Sequence, residues 1–129
     1  MGANMTVPPG KISLTIYKNA AFDETFFIEQ EDEAGNITPM DLTGFTAKAA
    51  FSEDYEDDTP FLSFTTADDS IVIDEDESSV RLYKPASATK AITQEHAVFD
   101  LYLIPPTGAG DAFRILMDDD VCISKWVAP

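Results

Sequence analysis

The chain has one cysteine, one histidine and one tryptophan. A lone thiol, Cys122, excludes an internal disulfide, so packing alone must hold the fold. Its neighbours Val121 and Ile123 read as a strand, and a half-buried structural thiol is expected there rather than a reactive one. A lone imidazole, His96, excludes a histidine-rich metal site and is expected at the surface or at a strand end. Basic residues are scarce as well: 8 Lys and Arg stand against 24 Asp and Glu, for a net charge of −16. Such a surface repels nucleic-acid phosphates and anionic lipid headgroups, which counts against nucleic-acid and membrane partners. The same acid excess keeps a protein dispersed in water, or attracts a basic partner or divalent cations, and composition does not separate these.

Long apolar runs are missing too. No stretch approaches the ~18 apolar residues of a membrane span. Residues 1–9 lack the basic and apolar regions of a secretory signal. Residues 1–10 are expected to be a flexible lead-in, and 11–129 a single domain, a length typical of one.

What is present is an apolar fraction of 44%, with nine Phe and four Tyr, enough for a real core. It is distributed with period two, the pattern of strands that bury one face. Ile12, Leu14 and Ile16 alternate with Ser13, Thr15 and Tyr17, and Phe22, Glu24, Phe26 and Ile28 follow at the same spacing. An acidic run over 29–33 leads into Ala34-Gly35-Asn36, a turn sequence, so a first hairpin is expected here. Further strands are expected at 45–51, 61–65, 71–73 and 80–83. The strongest is 97–103, with Ala97, Phe99, Leu101 and Leu103 on one face. Asp118, Asp119 and Asp120 form either a turn or the exposed middle of one long final strand. The stretch near 85–93 departs from alternation. Pro85 suits a first helical position, and a short helical crossover between sheets is expected there. About eight or nine strands with frequent turns point to an all-β, two-sheet antiparallel sandwich, immunoglobulin-like in architecture. The Cys…Trp…Cys core of antibody domains is absent.

Chemistry is hard to find in this pattern. There is no Gly-x-Ser-x-Gly elbow. Gly108-Ala109-Gly110 lacks the Lys and Ser/Thr of a phosphate-binding loop. A Cys–His dyad would require Cys122 beside His96. No catalytic residue is assigned, and a non-enzymatic role is expected. Calcium is the one cofactor worth weighing, because it takes six to eight oxygen ligands and acidic loops supply them. The weak candidates are Asp68, Asp69, Asp74, Asp76, Asp118 and Asp120, none in EF-hand spacing. A calcium- or carbohydrate-binding module is therefore the alternative reading, with Tyr55, Tyr83, Tyr102 and Trp126 available to stack on a sugar.

One segment is more telling: Gly35-Asn36-Ile37-Thr38-Pro39-Met40-Asp41-Leu42-Thr43-Gly44-Phe45-Thr46-Ala47-Lys48. Ser70-Ile71-Val72-Ile73 with Val80-Arg81-Leu82 follows, then a helix-like 86–92, then Ala97-Val98-Phe99-Asp100-Leu101-Tyr102-Leu103. This series resembles the N-terminal β-sandwich domain of bacteriophage baseplate upper proteins and related small tailed-phage virion proteins, over roughly 14–124. The resemblance implies a virion structural protein of the tail, baseplate, neck or capsid, made in the bacterial host cytoplasm. Its implied partners are other virion proteins and further copies of itself. Interface positions are expected in the loops 53–58 and 105–111, at Glu53, Asp54, Tyr55, Pro105, Pro106 and Asp111, and at termini able to exchange strands.

Overall fold

The computed structural model describes residues 10–56, 59–107 and 110–124. Its centre is β10 (His96–Ile104), whose alternating Ala97, Phe99, Leu101 and Leu103 are all fully buried. On one side it pairs antiparallel with β6 (Thr46–Ser52), from Val98 opposite Ser52 to Ile104 opposite Thr46. On the other it pairs with β11 (Phe113–Ser124). Beyond β6 lies β7 (Leu62–Thr65). Beyond β11 lie β1 (Gly10–Lys11) and β2 (Thr15–Tyr17), completing a six-stranded sheet.

A second sheet of three strands, ordered β3 (Phe22–Phe27), β9 (Ser79–Lys84), β8 (Ile71–Asp74), supplies Phe22, Val80, Leu82 and Ile71 to the core. The two sheets meet through phenylalanines. Phe22 packs edge-on against Phe51 with centroids 5.5 Å apart, and Phe51 lies 4.8 Å from Phe99. Phe64 and Phe26 extend the same stack. Offset and edge-to-face geometry adds to the area term, because a ring's positive edge meets its neighbour's negative face.

The expected first hairpin forms as β4 (Glu29–Glu31) with β5 (Ile37–Pro39). Its residues are largely exposed, but its base is anchored by buried Ile28 and Met40, joined by Met40 N donating to Ile28 O. Asp32 closes the turn by accepting from the amides of Ala34 and Asn36, and Gly35 takes φ +88°. In the next turn Asp41 accepts from the amide and hydroxyl of Thr43, and Leu42 fills the core. Gly44, at φ +78°, leaves no room for a side chain. A Cβ there would stand 2.9 Å from Pro106 Cγ.

The sandwich and its crossover match the expectation. The helix α1 (Ala86–Lys90) joins β9 of the smaller sheet to β10 of the larger. Pro85 sits outside it, at ψ 165° before the first turn, rather than in the first helical position. Buried Thr89 ties the helix down, its hydroxyl 2.7 Å from Ala20 O.

Four details differ from expectation. Gly10, assigned to the lead-in, already belongs to a strand; the rest of the lead-in, 1–9, lies outside the described residues. The sheet is not wholly antiparallel, because β1 and β2 both run parallel to β11. Residues 113–124 are one strand through the three aspartates, but Asp118 is buried rather than exposed. Two bulges in β11 cause this, since each extra residue re-aims the side chains that follow. Cys122 is exposed, not half-buried, because it stands on the outer face while Val121 takes the inner one.

Two measurements test this account. Phe51→Ala removes the ring that links both sheets and should lower the unfolding free energy by about 3–5 kcal/mol, read from a urea midpoint; a loss under ~1 kcal/mol would contradict the stack. Asp23 holds Arg81 through two bonds, Nε–Oδ1 at 2.8 Å and Nη2–Oδ2 at 2.7 Å, which keep its carboxyl below the usual range. A lowered folded pKa contributes stability above the unfolded value and loses it as pH falls through the folded one. Arg81→Ala should therefore raise the Asp23 pKa seen by NMR and reduce the acid sensitivity that this pair adds.

Candidate binding face

Alternation that sends Phe99, Leu101 and Leu103 inward sends Asp100 and Tyr102 outward, onto the exposed side of the six-stranded sheet. Strand register then decides their neighbours. Tyr102 stands directly opposite Lys48 on β6 and Arg114 on β11. The Lys48 ammonium lies 5.8 Å from the Tyr102 ring centroid, a cation–π distance. Arg114 meets Asp100 at 3.4 Å and stacks 5.7 Å from the centroid of Tyr55. Burial, and next the negative charge of Asp100, push the Tyr55 phenol upward from its ordinary pKa. Tyr55 therefore carries the 53–56 turn back over the sheet.

Beside this row is an open groove of about 440 Å³. Its floor holds Ala50, opposite Ser63 on β7 and Asp100 on β10. Lys48, Pro60, Thr65, Asp68 and Tyr102 also line it. The small residues at 50 and 63 create the depression; larger ones on either strand would fill it.

The expected interface loops do not converge. Residues 53–58 follow β6 where Ser52 faces Val98, and 105–111 follow β10 where Ile104 faces Thr46, the opposite end of the pairing. Glu53, Asp54, Tyr55 and Asp111 are exposed, whereas Pro105 and Pro106 are half-buried, Pro106 against Gly44. Asp57, Asp58, Gly108 and Ala109 lie outside the described residues, as does Trp126. Of the proposed sugar-stacking aromatics, Tyr55 and Tyr102 share this face, while Tyr83 stands on β9 of the other sheet under Arg81.

The calcium candidates are dispersed and engaged locally. Asp68 accepts from the hydroxyl and amide of Ser70, which hold its carboxyl below the usual range. Asp69 ends a short 3₁₀ turn in the left-handed region, and Asp74 accepts from the amides of Asp76 and Glu77. Asp118 accepts from Leu14 N at 2.7 Å and Asp120 N at 3.0 Å. Asp120 pairs with His96 Nε2 at 3.0 Å. Among the described residues, no three His, Cys, Asp or Glu side chains gather in a way that could hold a metal ion. The register does place His96 opposite Cys122, both exposed on the sheet surface.

The alternation of 97–103 marks Tyr102 and Asp100 as outward-facing, but nothing in the sequence says that Lys48 and Arg114 flank Tyr102. That row was missed, and only pairing register reveals it. Among the described residues, no helix is long and apolar enough to cross a membrane.

Asp118→Ala would leave the buried Leu14 amide without its acceptor, at a cost of about 1–3 kcal/mol. Hydrogen exchange should show the Leu14 amide opening faster than the amides of β10, while exchange unchanged from the parent protein would contradict the bond. No protein-family model matches the chain, and no curated protein matches it.

Proposed function

We propose that this chain is a non-enzymatic structural protein of a tailed-bacteriophage particle, acting in the tail, baseplate, neck or capsid through contacts between subunits. The observation that carries the reading is an adjacency. The two segments of strongest resemblance, 35–48 and 97–103, are neighbours in the fold: the Asp41–Gly44 turn feeds β6, which pairs along β10. Together they form one continuous structural unit.

The margin of the larger sheet supports an assembly role. Residues 10–18 lie along β11, bonded through Ile12 N to Met117 O, Leu14 O to Cys122 N and Lys18 N to Ser124 O. These are main-chain bonds at a sheet edge, so the equivalent segment of a neighbouring copy can make the same set. Partners are other copies of the chain and other virion proteins, assembled in the reducing cytoplasm of the host, where an exposed thiol such as Cys122 stays free. The acidic surface keeps the unassembled subunit dispersed.

Size-exclusion chromatography with light scattering tests the reading. A defined oligomer is expected at about 0.1 mM, where even a dissociation constant of that order populates complexes. A strict monomer at that concentration, with no co-assembly with virion proteins, would sink it.

A further inference from the structure

We infer that the open edge running along β3 and β4 is a strand-addition site for an extended, basic segment of a partner protein. This stands independently of the virion reading, since it rests on main-chain direction and charge at that edge.

Main-chain direction opens the edge. Ile28 N donates to Ser78 O at 2.8 Å, one step beyond the β3–β9 ladder, and Ile28 O accepts from Met40 N at 2.9 Å. Antiparallel residues that bond across a pair alternate with residues whose N–H and C=O point the other way. Asp23, Thr25 and Phe27 therefore turn their main chain away from β9. Asp32 N donates to Asn36 O, so Glu29 and Glu31 turn away from β5 in the same sense. These five residues are all exposed, and among the described residues no strand pairs with that side. One unpaired edge thus runs from Phe22 to Glu31, and a partner strand gains affinity through main-chain bonds along such an edge.

The neighbouring edges are shorter or closed. β7 has four residues, and the Thr65 amide already donates to Ser70 Oγ at 2.9 Å. On β8, Ile71 is 1% exposed, which closes its main chain to a partner.

Charge decides the occupant. Glu24, opposite Leu82, shares the inner face of β3 with Phe22 and Phe26. It is exposed all the same, because among the described residues no strand lies beyond it. An added strand would cover this carboxylate, and a buried charge is costly unless it is paired. A Lys or Arg opposite Glu24 supplies the pair. Glu29 and Glu31 call for the same partner on the outer face, and Phe27, 65% exposed, gives an apolar contact between these acids. A second copy does not fit. Two such edges paired antiparallel over their whole length set Asp23 against Glu29 or Glu31, and like charges directly opposite are destabilising. A basic segment is instead drawn in by the net charge of −16.

Isothermal titration calorimetry and amide hydrogen exchange of the full chain with three synthetic peptides test the site. The first, Lys-Thr-Lys-Val-Phe-Val-Thr-Lys-Thr, sets lysines opposite Glu31, Glu29 and Glu24 when it runs antiparallel. The second is the same peptide N-methylated at its third, fifth and seventh residues, which keeps the charge and removes donors that face the edge. The third carries Glu in place of Lys. The first should bind and, at saturation, slow exchange at Thr25, Phe27 and Glu29 by at least about tenfold, while the other two should bind at least about tenfold more weakly. Glu24→Lys, at an exposed position, should weaken the first peptide by a similar factor. Thr25→Pro, which an edge strand accepts, removes one donor and should weaken it at least about threefold. Equal binding of the first peptide and either control would overturn the inference. So would no heat from the first peptide at millimolar concentration, or protection at Ser63 of β7 in place of Thr25. Slow exchange at Thr25 and Phe27 that grows with protein concentration alone would give the edge to a second copy, which also overturns it.

Discussion

The fold depends on the contact between Phe51 and Phe99, two rings on paired strands of one sheet with centroids 4.8 Å apart. Phe22 and Phe26 reach them from the opposite sheet. Without a disulfide, and with a surface that repels itself, the sandwich relies chiefly on such apolar contacts to resist the chain's conformational entropy. Once Phe99 is committed inward, Asp100 and Tyr102 have no choice but to face out, so the core and the outer face are two results of one alternation.

The acidic residues play several different parts. Asp32, Asp41, Asp68 and Asp74 close turns by accepting local amides. Asp118 does something else: turned inward by a bulge in β11, it holds Leu14 and thereby the parallel margin of the sheet. Asp100 neutralises Arg114 on the outer face. What looks like a uniform negative exterior in the composition is thus partly an internal hydrogen-bonding device.

The proposed assembly role draws on the margin of the larger sheet. The proposed subunit contacts use main-chain groups at the margin formed by residues 10–18, beyond β11.

Much of the fold was legible in the sequence, because alternation is a local signal. Ala97 to Leu103 announced their strand, Ala34-Gly35-Asn36 their hairpin, and 86–92 their helical crossover. Asp41 accepts a nearby amide, Leu42 fills the core and Gly44 turns the chain, each within the reach of its local chemistry. The tertiary structure alone decided who stands beside whom. The β1 and β2 pairing is parallel because a segment distant in sequence found β11, and no local pattern encodes that direction. Asp118 turned inward because bulges shift the phase of β11, whereas Cys122 faces outward by plain alternation with inward Val121. The Lys48–Tyr102–Arg114 row exists only through register between three strands. Period two determines which face a side chain takes, and register determines its neighbour; the first is written along the chain, and the second arises only when strands meet.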